Sequence, residues 1–147
     1  MTSILPLTAS DRDDWEVLWD AYLAFYEEDL DPQVTDATFR RLVDGKGHLH
    51  GAIARDAEGR AVGLVHWLVH PSTWSTQGYC YLEDLFVSPD ARAGGVGRAL
   101  IDHVRTWASA AGAEKVYWLT AETNTTARAL YDRVATRTGF LHYELPL

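Results

Sequence analysis

Apolar and polar positions along the chain change rhythm several times, and each change marks an element. Residues 4–7 form a short apolar run that reads as a first strand. Ser10 then stands at a helix N-cap position, with Asp11, Asp13 and Asp14 in the first turn, where the helix dipole favours anions. Trp15, Leu18, Trp19, Tyr22, Leu23 and Tyr26 follow at helical spacing on one face. The acidic stretch 27–32 ends that helix, and a second runs from about Thr35 to just before Gly45. Residues 49–55 and 60–70 read as a hairpin around Asp56-Ala57-Glu58-Gly59. A loop at 71–78 precedes a strand at 79–87, which ends at Ser88-Pro89. A glycine-rich turn leads into a helix over 95–111, with Leu100, Val104, Trp107 and Ala108 as its buried stripe. A buried strand at 116–120, a helix at 125–134 and a last strand at 140–145 complete the pattern. Strands first, then strand-helix-strand-helix-strand, predict one α/β (α+β) domain over 1–147 built around a mixed sheet.

Composition narrows the function classes. A chain of 147 residues, 47% of them hydrophobic, can bury a real core and is not a disordered tail. Thirteen basic against twenty-one acidic residues give a net charge of -8, which argues against a nucleic-acid binder. The same charge suits a cationic partner, and it equally serves plain solubility. No apolar run is long enough to span a membrane, the longest lying around 64–69, and the N-terminus lacks the pattern of a secretion signal. A cytoplasmic protein is the expectation. Cys80 is the only cysteine, so there is no internal disulfide, and it reads as a small buried hydrophobe. His48 and His50 share a strand face without a third ligand nearby, and no metal site is expected.

The strongest chemical signal is Arg92-Ala93-Gly94-Gly95-Val96-Gly97-Arg98, set between a strand and a helix. Amides at a helix start lack intrahelical partners, and the dipole adds positive potential there. Glycines let backbone come close to a ligand, and Arg92 and Arg98 add charge, so the turn can cradle a pyrophosphate. It can also be only a tight connection. It is not a nucleotide P-loop, because Arg98-Ala99 follows Gly97 where Lys-Ser/Thr belongs. It also lacks the third glycine of a dinucleotide fingerprint, a position held by Leu100.

Val87-Ser88-Pro89, then Arg92-x-x-Gly95-x-Gly97 with Ala99-Leu100 opening a helix, resembles the acetyl-coenzyme A motif of the GNAT N-acetyltransferase superfamily. Asn124-x-x-Ala127-x-x-Leu130-Tyr131 followed by Gly139-Phe140 is similar to the superfamily's asparagine-to-tyrosine helix. Tyr81-Leu82-Glu83-Asp84-Leu85-Phe86-Val87 looks like the strand of the spermidine/spermine (diamine) acetyltransferase branch and its histone-acetyltransferase-like microbial relatives. One departure is the spacer Ala135-Thr136-Arg137-Thr138 before Gly139-Phe140, which leaves room for only a short sixth strand before Leu147.

The resemblance implies a mostly antiparallel central sheet flanked by about four helices. It implies acetyl-coenzyme A as cofactor and direct attack of a small, polyamine-like or other cationic amine on the thioester. Two alternatives are an acetyltransferase for protein lysines or N-termini and a non-catalytic acyl-coenzyme A binding or sensing module. Leu85, Phe86 and Val87 would line the pantetheine arm, the turn from Arg92 through Arg98 would hold the pyrophosphate, and Asn124 would bond the cofactor or cap its helix. Tyr131 matches the general acid that protonates the departing thiolate, against a plain packing role. The resemblance gives Glu83 to the general base, directly or through water, and Asp84 to amine binding, with an arginine salt bridge as the bland alternative. Regular strand alternation would point the two carboxylates to opposite faces. Glu27 and Glu28, in the acidic run with Asp29 and Asp31, would attract the amine or form a solvated loop. A homodimer is expected, with 140–145 near the subunit contact.

Overall fold

The computed structural model describes residues 1–147. In chain order they form β1 (Ser3–Pro6), α1 (Arg12–Phe25), α2 (Pro32–Val43), β2 (His50–Arg55), β3 (Ala61–Ser72), β4 (Ser75–Val87), α3 (Val96–Ala110), β5 (Val116–Tyr117) and α4 (Thr125–Val134). Short 3-10 turns at Ala9–Asp11 and Pro89–Ala91 precede α1 and α3. The five strands lie in sequence order; the first three pairings are antiparallel and β4–β5 is parallel. This is the mixed, mostly antiparallel sheet with four helices that the family resemblance implies.

The differences have local causes. Thr8, not Ser10, opens the first helical turn: its amide donates to Asp11 Oδ2 at 2.8 Å. α2 begins at Pro32, because proline needs no amide acceptor at a first helical position and Asp31 Oδ1 caps Gln33 N at 2.8 Å. The expected loop at 71–78 is mostly strand, since β3 and β4 continue to a pairing of Ser72 with Ser75. Gly78 permits this: its φ is 83°, and a Cβ there would lie 2.6 Å from the His70 carbonyl oxygen. The expected last strand at 140–145 does not form. Beyond Ala135 the chain makes no backbone–backbone hydrogen bond.

Two apolar layers sandwich the sheet. On one face α3 packs Leu100, Ile101 and Val104 against Val65, Trp67, Cys80 and Leu82. On the other, α1 and α2 pack Trp15, Leu18, Trp19, Phe39 and Leu42 against Ile53, Leu64 and Phe86. Trp15, Leu64, Leu100 and Val104 are fully buried. Burying such side chains stabilises the fold by about 1.5–3 kcal/mol each. No helix is long and apolar enough to cross a membrane.

Candidate active site

The site lies where the sheet opens. β5 pairs with β4 only at Cys80–Val116 and Tyr81–Tyr117, whereas β4 continues to Val87. From Leu82 onward the β4 edge facing away from β3 has no strand partner. Leu85, Phe86 and Val87 lie on this open stretch. The Phe86 side chain is buried in the α1 layer and its backbone pairs with Leu64 of β3, while the Leu85 and Val87 side chains pack against the α3 layer.

The open edge runs into the glycine-rich turn. Arg92 donates Nε–H to the Val87 carbonyl at 3.3 Å and folds the turn back on the strand. Ala93 and Gly95 both have positive φ, 68° and 80°. Gly95 is the N-terminal cap of α3, and a Cβ there would meet nothing within 4 Å, so the turn is open on that side. The first α3 amide bonded to the helix cap is Ala99, to the Gly95 carbonyl at 3.0 Å. The amides of Val96, Gly97 and Arg98 therefore precede the helical ladder. This concavity and its free donors fit a pyrophosphate. Gly97 serves packing: a Cβ would lie 3.2 Å from Leu130 Cδ2, so its absence lets α3 approach α4. The exposed Arg98 guanidinium is 3.8 Å from Asp102. Asn124 caps α4, its Oδ1 accepting from Ala127 N at 3.5 Å.

A bulge corrects the expected placement of the two carboxylates. β3 and β4 shift register between His66–Asp84 and Trp67–Leu82, leaving Glu83 as the extra residue. Cys80 and Leu82 face α3, whereas Asp84 and Phe86 face α1. The charged groups acting on Glu83 are Asp84, His66 and Arg41, all on the α1/α2 side. The extra residue breaks the regular alternation across the two carboxylates. Partial burial, then the Asp84 charge, pushes the Glu83 carboxyl upward, with His66 and Arg41 opposing.

Asp84 meets no arginine. Its Oδ1 accepts from the Tyr22 hydroxyl at 2.7 Å, and its Oδ2 lies 3.0 Å from His66 Nδ1. Trp15 Nε1–H donates to His66 Nε2 at 2.9 Å. An indole can only donate, so Nε2 is the acceptor and Nδ1 carries the proton toward Asp84. The chain Trp15–His66–Asp84–Tyr22 runs from the core to the back of the bulge. Burial, then Asp84, pushes the Tyr22 phenol strongly upward, and it stays protonated.

Tyr131 stands on α4 across the opening. Its ring meets Trp118 edge-on at 5.4 Å, and its hydroxyl is bonded to no protein group. Burial, then nearby Tyr26, pushes its phenol up to about 12, so it carries its proton at neutral pH. Tyr26 is the C-terminal cap of α1, packs on Tyr22 at 5.1 Å, and is pushed upward by burial and then Asp84. Glu27 and Glu28 follow it as exposed carboxylates, with Glu27 at φ 55° in the turn. Cys80 is buried, with its thiol pushed to about 11, as a structural cysteine would be. His50 stacks on Trp67 at 5.9 Å and meets Trp107 at a tilt, 4.4 Å between ring centres.

Tyr22, Tyr26, His66 and Trp15 were not singled out by sequence reasoning as site residues. The aromatic stripe of α1 was visible, but only pairing across 51 positions, from Trp15 to His66, turns it into a polar network.

The acetyltransferase (GNAT) family profile matches residues 15–135. A D-amino-acid N-acetyltransferase of Saccharomyces cerevisiae is 38% identical over 135 residues, covering 91% of this chain and 84% of that protein. The structure of a ribosomal-protein-alanine N-acetyltransferase from Brucella melitensis biovar Abortus superposes with a TM-score of 0.84 at 20% identity, covering all of both chains. An aminoglycoside N-acetyltransferase solved with coenzyme A gives a TM-score of 0.85 at 19% identity, covering 99% of this chain and 95% of that one. The open β4 edge, the glycine turn and these likenesses converge: this chain belongs to the acetyltransferase (GNAT) family.

Proposed function

We propose that the chain transfers the acetyl group of acetyl-coenzyme A to the primary amine of a small acceptor. The observation that carries this reading is the unpaired edge of β4 running directly into the turn at Arg92–Arg98. Bound acetyl-coenzyme A supplies an activated thioester. The amides of Val96, Gly97 and Arg98, with the Arg92 and Arg98 side chains, hold its pyrophosphate. The backbone groups of Leu85 and the Val87 amide would hold the pantetheine arm, and a β4 amide would polarise the thioester oxygen. Glu83, raised by burial beside Asp84, accepts the amine proton directly or through water. Tyr131, protonated and uncommitted, gives its proton to the leaving sulfur. Asp84 supports the bulge through His66 and Tyr22, and its oxygens are already engaged.

Glu27, Glu28 and Glu83 favour a cationic, polyamine-like amine. A second reading, an amino-acid acceptor, is favoured by the yeast D-amino-acid N-acetyltransferase and by Arg41, close enough to Glu83 to lower its carboxyl. That cation could meet an acceptor carboxylate. Release of free thiol with a diamine, a D-amino acid and an uncharged amine of equal length separates the two. Tyr131→Phe is expected to lower kcat about tenfold or more on the best acceptor. Its acetyl-coenzyme A affinity by calorimetry should stay within about twofold. Full activity would assign Tyr131 to packing against Trp118.

A further inference from the structure

Two indoles stand one turn apart on α1, against the same imidazole. Trp15 and Trp19 stack at 5.6 Å, and their rings meet the His66 ring at 6.0 and 5.3 Å between centres. Both are buried, at 0% and 6% exposure. Only one is joined to His66 by a hydrogen bond. Trp15 Nε1–H donates to His66 Nε2 at 2.9 Å, whereas the buried Trp19 Nε1–H has no partner. Packing treats the two residues alike; hydrogen bonding does not.

The bond from Trp15 selects one tautomer of His66. Nε2 accepts, so the ring proton is on Nδ1 and is donated to Asp84 Oδ2 at 3.0 Å. The other tautomer would set two N–H groups facing each other at Trp15 and turn a lone pair toward the carboxylate. His66 and Asp84 are also the cross-strand pair at which the bulge begins. The next pairing along β3 is Trp67 with Leu82, and Glu83 is the residue passed over. Tyr22 donates to Asp84 Oδ1 at 2.7 Å, so both carboxylate oxygens are engaged.

We propose that Trp15 is a positioning residue for acetyl transfer: by fixing the His66 tautomer it holds the Asp84 carboxylate, and through Asp84 it holds the bulged Glu83. Trp15 is fully buried, so its influence passes through His66 alone. The proposal rests on the reading of Glu83 as base; the tautomer of His66 does not. The groups acting on or responding to Glu83 are Asp84 and Tyr81 of its own strand, His66 of β3, Tyr22 of α1 and Arg41 of α2. Among these, the Asp84 charge pushes the Glu83 carboxyl upward.

The test compares the two indoles. Trp15→Phe and Trp19→Phe lose the same volume, but only the first loses a hydrogen bond. With folding checked by circular dichroism, kcat should fall about tenfold in Trp15→Phe, as for a base displaced within its site. Trp19→Phe should lower kcat less than about twofold, and the acetyl-coenzyme A KM should stay within about twofold in both. Asp84→Asn should lower kcat and move the acid limb of kcat/KM to lower pH, because Glu83 loses the charge that raises it. In that background Trp15→Phe should cost less than about twofold more, since the two act in one chain. Nitrogen-15 spectra of labelled histidine should show His66 protonated at Nδ1 in the native protein and as mixed tautomers in Trp15→Phe. If Trp15→Phe does not fold, Tyr22→Phe removes the other support of Asp84 and should show the same non-additivity with Asp84→Asn. Equal losses from the two indoles, losses that multiply in either double variant, an acid limb that Asp84→Asn leaves in place, or an Nε2-protonated His66 each overturns the proposal. Full activity of Glu83→Gln overturns the base reading and this proposal with it, whereas equal indole losses in an enzyme that still needs Glu83 overturn this proposal alone.

Discussion

The two halves of the sheet are built on opposite terms. From β1 to β4 the strands pair along their length, and a polar chain crosses the interior from Trp15 through His66 and Asp84 to Tyr22. From β4 to the C-terminal segment, by contrast, β5 pairs at two positions, α4 has no fully buried residue, and 136–147 make no ladder. The contrast teaches where function can be placed. A closed half can hold side chains to within fractions of an ångström, and an open half has backbone groups left for a cofactor or a partner chain. The candidate site lies on the seam, with Glu83 fixed from one side and Tyr131 presented from the other.

The largest way to break this contrast is at Trp15. Trp15→Ala removes a fully buried indole and leaves His66 Nε2 without its donor. A loss of about 3–5 kcal/mol in urea unfolding is expected. Leu145→Ala, in the open half, should change monomer stability by less than about 0.5 kcal/mol. Comparable losses at the two positions would erase the distinction.

The two glycines of the turn sharpen it next. Gly95→Asp places bulk and negative charge where the structure leaves open space, at a φ of 80°. It should weaken acetyl-coenzyme A binding at least about tenfold by calorimetry. Gly97→Ala should act on stability instead, by about 1 kcal/mol, because its Cβ would press on Leu130 Cδ2 at 3.2 Å. Interchanged effects would mean that the roles of the two glycines are reversed.

The smallest effect is a pH dependence with two opposite signs. A base must be deprotonated, so the raised Glu83 carboxyl should make kcat/KM fall on acidification at a higher pH than an ordinary glutamate would. Stability moves the other way. The folded state holds this proton more tightly than the unfolded chain, whose value is near 4.5. The Glu83 contribution is therefore complete below that value and is lost as pH rises through the raised one. Glu83→Gln should flatten the acid limb of the rate profile; an unchanged limb would remove Glu83 as the base.

Much of the closed half was legible because period and spacing are local. The α1 stripe and the β2–β3 hairpin follow from neighbours within a few residues. The glycine turn was legible too, since its conformation is written in residue type. The carboxylates were harder. Regular alternation places Glu83 and Asp84 on opposite faces, and only the pairing of Trp67 with Leu82 reveals that Glu83 is an extra residue. Asp84 was expected at the acceptor, or paired with an arginine, because its partners Tyr22 and His66 come from 62 and 18 positions away. The segment at 140–145 has strand composition but no neighbour in its own chain to pair with, and no sequence pattern states that.

The bulge at Glu83 acts as a phase slip in a two-beat rhythm. Upstream, Cys80 and Leu82 beat toward α3; downstream, Asp84 and Phe86 beat toward α1. One strand is thereby divided into two that differ only in phase. Each can drift in composition against its own layer while the backbone stays continuous through the site. The slip also fixes where length may change. With the bulge kept, a residue gained or lost between Asp84 and Phe86 would send Phe86 toward the wrong layer, so β4 can vary in its letters far more freely than in its count.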